Sequence, residues 1–265
     1  MKGTGQWIRE TEQYREWHDT DETGDLWIRS VPGAGKSVAA ADLIRTLKAH
    51  EDTPVLYFFF RQIILSNQSP ASFLRDACHQ LLDFSPVLQT TLKNLKEKHG
   101  AVTTLPFPEF FQCLSTALTS VKKVYCVLDA MDEMNLDEDF FISNMLNLGR
   151  RHPKSIKLVM TSRQLPYLER HFRDSCVVDL RLDRTNVDRD IAKYVSFRLE
   201  QIQSRIAIDD AESIKTLICE RGRGLFLYAR LMMDECIRDP HAFVSGRLPE
   251  GLGEVRSAVG IVLHS

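Results

Sequence analysis

Residues 30–37 read SVPGAGKS, an order of residue types suited to holding phosphate. Gly33 and Gly35 let backbone N–H groups turn inward around phosphate oxygens, and a helix opening near Lys36 adds the positive end of its dipole. Lys36 would pair the β- and γ-phosphates, and Ser37 would ligate Mg²⁺. The pattern G-x-x-x-x-G-K-[ST] is met at every fixed position but the first, where Ser30 stands in place of glycine. If that position requires a positive φ, serine costs roughly 1 kcal/mol there. The bland alternative is a glycine turn before any helix. An apolar strand before the loop and a helical pattern after it weigh against that.

A second group lies at Asp129, Asp132 and Glu133, where the apolar run VYCVL passes into DAMDE. Four apolar residues and then an aspartate is the Walker B arrangement, in which a buried strand aims a carboxylate at Mg²⁺. Asp129 is the magnesium candidate. Asp132 or Glu133 would polarise an attacking water, with Glu133 slightly favoured. Taken alone, an acidic strand end is more often a solvated turn or a helix N-cap. Its distance downstream of a phosphate loop reverses that preference. Arg163 closes the next apolar run, KLVMTSR, where it would reach a γ-phosphate and distinguish ATP from ADP. A surface salt bridge is the other reading of Arg163, and Thr161 and Ser162 are equally suited to capping the following helix.

These groups need a scaffold that brings strand ends to one edge. DLWIRS, PVLYFFF, KKVYCVLDAMDEM, IKLVMTSR and the weaker CVVDLRL read as buried strands. Between them KSVAAADLIRTLKAH, SFLRDACHQLLDF, PVLQTTLKNLKEKHG, FPEFFQCLSTALTSV and EDFFISNMLNLGRRH carry helical periodicity, and Gly100 closes the third. Alternation of this kind predicts an α/β fold, a parallel sheet sandwiched by helices. Beyond Leu182 only helical patterns remain, in VDRDIAKYVSFRLEQI, DDAESIKTLICERG and LFLYARLMMDECIRD. The expected organisation is a flanking segment over 1–24, the sheet domain over 25–183, a small helical subdomain over 184–254 and a tail over 255–265.

Composition excludes several function classes. The 265 residues carry a net charge of -2, which gives no electrostatic footprint for nucleic acid. The basic clusters Arg150-Arg151-His152 and Arg221-Gly222-Arg223-Gly224 read as helix ends and turns. Six scattered cysteines lack metal-ligand spacing and mostly sit in apolar patterns, as expected of buried thiols in a reducing compartment. The start MKGTGQWIRE has no hydrophobic core for a secretory signal, and PVLYFFF is far too short to span a bilayer. A cytoplasmic protein with no membrane partner is expected.

The three groups, in this order, resemble the NACHT class of STAND P-loop NTPases, which are signal-transduction switches. The nearer resemblance is to the branch abundant in filamentous fungi, with a nephrocystin-like N-terminal portion. It is carried by GTGQWI, YREW, LWIRSVPGAGKS, PVLYFFFRQ, KVYCVLDAMDEM, KLVMTSRQLP, VDRDIAKYV and GLFLYARLMMDE, and covers the chain to about Glu254. The resemblance implies that Gly33, Ala34, Gly35, Lys36, Ser37 and Val38 bind ATP or ADP. It further implies that Ser37 and Asp129 serve Mg²⁺ and that Arg163 senses the γ-phosphate. GTGQWI and Trp17 would flank the nucleotide, although Trp7 also suits simple core packing. The helices after Asp188 would close over it. Full-length members carry an effector domain before this region and a winged-helix domain and repeats after it. The stretch VRSAVGIVLHS has no counterpart in the family, which reads as truncation or an altered gene model.

The expected function is therefore a nucleotide-binding switch with slow hydrolysis and nucleotide-coupled self-association as a homo-oligomer. An energy-transducing AAA-type or DNA-acting ATPase would share the three groups but should add a basic channel or a partner-supplied arginine. A small-molecule kinase should add an arginine-rich lid and an acceptor site. A degenerate fragment that folds without signalling is the remaining alternative, raised by Ser30 and by the flanking domains that full-length members carry and this sequence lacks.

Overall fold

The computed structural model describes residues 3–100, 105–135, 139–173 and 176–239. The end of the expected helical subdomain, 240–254, and the tail over 255–265 lie outside these residues. Strands β1 (Asp25–Arg29), β2 (Val55–Phe59), β3 (Val124–Asp129), β4 (Ile156–Ser162) and β5 (Val177–Arg181) form a five-stranded sheet in the order β2-β3-β4-β1-β5. The pairs β1–β4, β2–β3 and β3–β4 are parallel. Every residue of β3 and β4 is buried, which explains why these strands read as unbroken apolar runs rather than alternating ones.

The helices are α1 (Glu12–Asp19), α2 (Lys36–His50), α3 (Pro70–Leu81), α4 (Pro86–His99), α5 (Phe107–Ser120), α6 (Asp139–Arg151) and α7 (Pro166–Phe172), followed by α8 (Arg184–Glu200), α9 (Ile208–Gly222) and α10 (Phe226–Arg238). Their boundaries follow local chemistry. Ser69 and Ser85 accept the N–H groups of Ser72 and Leu88 ahead of helices that open on Pro70 and Pro86. Gly100 ends α4 at φ 79°, and Asp183 caps α8 through the Asn186 N–H. No strand follows Arg181 among the described residues, as the sequence pattern predicts. Helices α1 and α7, only 8 and 7 residues long, are too short to show a clear periodicity in the sequence.

The chain divides into two compact units. Among the described residues, one comprises those up to Ile8, Ser30–Ala39 and those from Arg181 onward. The other comprises Arg9–Arg29 and Ala40–Leu180, and so holds nearly all of the sheet. Its core interlocks Phe58, Phe60, Phe73 and Phe141 edge to face, with ring centroids 4.9–6.5 Å apart. The glycine pair Gly24 and Gly149 allows α6 to approach β1. A Cβ on Gly149 would lie 1.9 Å from the Asp25 carboxylate, and one on Gly24 would lie 2.2 Å from the Gly149 carbonyl oxygen.

At the amino edge of the sheet Lys157 is almost fully buried in β4 and donates to the carbonyls of Thr20 and Thr23 at 2.6 and 2.7 Å. Burial lowers its pKa to about 8. Trp17 lies at the same edge, its indole N–H on the Gly24 carbonyl at 3.1 Å and its ring tilted against Tyr14 and Tyr125. It therefore serves the core beneath α1, at the opposite edge from the carboxyl ends of β3 and β4.

Candidate functional site

The residues predicted to do chemistry fall into two groups, one in each compact unit. In the first unit the loop 30–35 leads into α2. Gly33 and Gly35 have φ values of 76° and 98°, a region that glycine enters freely and other residues do not. Among the described residues the non-glycine ones with positive φ are Ala130 and Arg223, so Ser30 carries no such strain. The missing first glycine of the pattern is thus no backbone defect in this chain. Lys36 Nζ donates to the carbonyls of Ser30 and Val31, both at 3.1 Å, and the ammonium is thereby held over the loop. The Val38 and Ala39 N–H groups close the first turn of α2 on the Gly35 carbonyl at 3.0 Å. A helix leaves its first N–H groups unpaired within itself, and Lys36 and Ser37 occupy those positions here.

The helical region of this unit is fastened to the loop. The Leu227 N–H at the start of α10 donates to the Gly33 carbonyl at 3.0 Å, and Phe226 packs on Gly35. From α8, Asp190 accepts the Gly5 N–H at 2.8 Å and the Trp7 indole N–H at 3.0 Å through one carboxylate oxygen. Lys193 donates to the Gly3 carbonyl at 3.1 Å. Trp7, half-buried, shares with Ala34, Val38, Val187, Asp190 and Phe226 the lining of a cavity of about 20 Å³. A wider cavity of about 480 Å³ opens between Ser30, Val31 and Ala34 of the loop and Leu182, Arg184 and Leu225. Asp190 was missed by the sequence reading. Its signal was present: Val187, Asp190, Ile191 and Tyr194 recur at helical spacing, which puts an aspartate on the buried stripe of α8.

The second group stands at the carboxyl edge of the sheet, in the other unit. Because β4 lies between β1 and β3, its last residues sit beside both strand ends, Arg29 being opposite Ser162. Asp129 is fully buried. Its Oδ1 accepts the Thr161 hydroxyl at 2.6 Å, and that hydroxyl oxygen accepts the Ala130 N–H at 3.0 Å. Its Oδ2 has no hydrogen-bond partner among the described residues. Ala130 then takes a left-handed conformation, φ 57° and ψ 51°, which for a residue with a Cβ costs about 1–2 kcal/mol. This bend swings the following residues into a short 3₁₀ turn, Met131–Glu133.

The turn separates the two remaining acids. Asp132 faces β4, where its carboxylate takes the Arg163 N–H at 2.9 Å and pairs with the Arg163 side chain. This bond raises the Arg163 pKa further above the ordinary arginine value. Glu133 faces the loop after β2, accepting the Gln62 N–H at 3.3 Å and lying 3.8 Å from the Arg61 guanidinium. Ser162 accepts the indole N–H of Trp27 at 2.8 Å, so neither Thr161 nor Ser162 is engaged as a helix cap; Leu165 holds the cap position of α7. Arg61 and Thr161 complete the acidic edge.

No cluster of three or more His, Cys, Asp or Glu suited to a metal occurs among the described residues. A magnesium ion is held by one or two protein oxygens, with water and substrate phosphates supplying the rest. The buried, half-satisfied carboxylate of Asp129 fits such a role. All six cysteines are free, with Cys78, Cys113, Cys126 and Cys236 buried. Among the described residues no helix is long and apolar enough to cross a membrane.

A parallel sheet in this strand order, with a glycine-lysine-serine loop after its first strand and a buried aspartate ending the third, is the fold of the P-loop NTPases. Residues 3–163 match the family described as nephrocystin 3, N-terminal, and the chain belongs to that family. The vegetative incompatibility protein HET-E-1 of Podospora anserina is 24% identical over 255 residues, which are 91% of this chain and 18% of that protein. The chain thus spans less than a fifth of the curated relative it matches. Among solved structures, Cdc6p from Pyrobaculum aerophilum is similar with a TM-score of 0.59 at 16% identity, over 93% of this chain and 64% of that one. The Walker-type ATPase paby2304 of Pyrococcus abyssi gives 0.55 at 13% identity, over 96% and 73%. At these identities the likeness is one of fold.

Proposed function

We propose that this chain is the nucleotide-binding module of a NACHT-type STAND switch of the fungal branch. It binds ATP or ADP with Mg²⁺, hydrolyses the triphosphate slowly and couples nucleotide state to self-association. The observation that carries this reading is the buried Asp129 carboxylate, with one oxygen fixed by Thr161 and the other unpaired among the described residues. A buried unpaired carboxylate oxygen is costly unless a cation or donor completes it. Its strand belongs to the same sheet as β1, which runs directly into the phosphate loop.

In this reading Gly33, Ala34, Gly35, Lys36, Ser37 and Val38 bind the phosphates by backbone N–H groups and the Lys36 ammonium. Ser37 and Asp129 hold magnesium, which supplies charge neutralisation to the phosphate oxygens. Glu133 polarises the attacking water. Asp132 holds Arg163, and a γ-phosphate competes with it for the guanidinium, which makes Arg163 the sensor. Two geometric features support a signal rather than a motor. Arg163 is already paired, and Glu133 is already engaged by Arg61 and Gln62, so both must be recruited before turnover. Ser30 adopts no left-handed backbone, which removes the structural argument for a degenerate loop. The name of the Podospora anserina relative refers to vegetative incompatibility, and we take fungal non-self recognition as the setting in which a longer protein would use this module.

The test is sedimentation and turnover of the purified chain with ADP and with a non-hydrolysable ATP analogue. A change of mass between the two, lost in Lys36→Ala, is expected. Equal mass in both states with intact binding would remove the coupling, and fast DNA-stimulated hydrolysis would move the reading to an energy-transducing ATPase.

A further inference from the structure

The outer strand β2 carries a feature that the nucleotide reading does not use. Its bonds to β3 run through the Pro54 carbonyl, which accepts the Tyr125 N–H at 3.0 Å, and through the Phe60 N–H, which donates to Asp129 O at 3.0 Å. Backbone groups alternate sides along a parallel strand, so Val55, Tyr57 and Phe59 direct theirs away from β3. The run VLYFFF has no charge, proline or glycine, the composition that pairs most readily with copies of itself when it lies on a sheet edge.

Side-chain amides occupy that edge. Gln80 of α3 accepts the Tyr57 N–H at 3.0 Å and donates to the Tyr57 carbonyl at 2.9 Å. This is the pair of bonds that a neighbouring strand would offer. Asn67 donates to the Phe59 carbonyl at 3.1 Å, and its own carbonyl takes the Arg61 N–H at 3.0 Å. The Lys48 ammonium stands 4.3 Å from the centre of the Tyr57 ring. A cavity of about 380 Å³ runs along this edge, lined by Tyr57, Phe59, Asn67, Asp76, His79 and Gln80.

We propose that β2 is a latent pairing edge for a second copy of this chain, held closed by the amides of Gln80 and Asn67. The occupant is the same strand of another molecule, running antiparallel across a two-fold axis at Tyr57. That arrangement makes the edge self-complementary: the outward groups of Val55, Tyr57 and Phe59 meet those of Phe59, Tyr57 and Val55, with aromatic side chains neighbouring across the strands. In the closed form Gln80 and Asn67 occupy the outward groups of Tyr57 and Phe59, so the chain is unpaired with another copy at this edge.

The experiment is sedimentation velocity of the full chain without nucleotide, comparing wild type with Gln80→Ala/Asn67→Ala and with the milder Gln80→Leu, folding being checked by circular dichroism. Self-association at least tenfold tighter than wild type is expected. A Tyr57→Cys substitution on the Gln80→Leu background should give a disulfide-linked dimer under mild oxidation, and Leu65→Cys on the same background should not. Folded variants that sediment as wild type at every concentration would overturn the proposal. So would association without Tyr57→Cys cross-linking, which would place the contact elsewhere, for instance on the exposed Ile63 and Leu65.

Discussion

The glycine loop before α2 and the acidic strand end are built by opposite means. The loop takes its chemistry from the backbone: two glycines in positive φ, a helix N-terminus and one lysine bonded to the loop's own carbonyls. At the strand end side chains do the work. Thr161 fixes Asp129 and the Ala130 N–H, Asp132 fixes Arg163, and among the described residues of this edge the backbone irregularity is Ala130. A backbone-built site tolerates side-chain change wherever φ is ordinary, and fails where φ is not. A side-chain-built site fails by losing single atoms.

The largest effect should come from Gly35→Ala, which forces a Cβ into a φ of 98° beside Phe226. Titration calorimetry should show nucleotide affinity down by at least about a hundredfold, or ~2.7 kcal/mol. Affinity within threefold of wild type would break the comparison on the loop side. Next in size is Thr161→Val. It leaves the Ala130 N–H and the Asp129 carboxylate without their buried hydroxyl, and should lower unfolding stability by about 1–3 kcal/mol in urea titrations. An unchanged midpoint would mean that Thr161 merely fills space.

A pH series isolates another buried side chain of the same unit. The folded pKa of Lys157 is lowered from 10.5 to about 8, so between these values the unfolded chain binds more protons and stability rises with pH. The pKa of Tyr14 is raised from 10.0 to about 12 by burial, so its contribution falls as pH rises through that window. The burial-raised thiols of Cys126 and Cys236 pull the other way above about pH 9, so the readout is a difference: between pH 8 and 10 the urea midpoint of Lys157→Met should fall relative to that of wild type. The smallest effect is expected from Ser30→Gly, which relieves no strain and should change nucleotide affinity less than about threefold (~0.6 kcal/mol). A tenfold gain would show that the loop does feel its missing glycine.

Much of this was legible in the residues, for reasons that differ by element. The strands were plain because β3 and β4 are buried on every residue, and an unbroken apolar run has little else to be at that length. The loop could be singled out because Gly33, Gly35, Lys36 and Ser37 fall, at a spacing suited to phosphate, between an apolar run and a helical pattern. Asp129 could be singled out because it ends a buried run. The partition of Asp132 to Arg163 and Glu133 to Arg61 was not legible, since it follows from the left-handed turn at Ala130, a conformation that alanine does not advertise. The strand order was equally hidden: it is the insertion of β4 between β1 and β3 that seats Thr161 against Asp129. Trp17 shows the limit of carrying a resemblance to a single residue, since its surroundings are Tyr14, Tyr125 and Gly24 at the other edge of the sheet.

The most direct test of the central claim is calorimetric titration of ATP·Mg²⁺ and ADP·Mg²⁺ into the chain, stripped of any co-purified nucleotide, beside Lys36→Ala and Asp129→Asn. Our account predicts saturable binding by wild type, loss of binding in Lys36→Ala, and loss of the magnesium dependence in Asp129→Asn. No heat of binding from a wild-type chain with the circular dichroism of a folded α/β protein would contradict it.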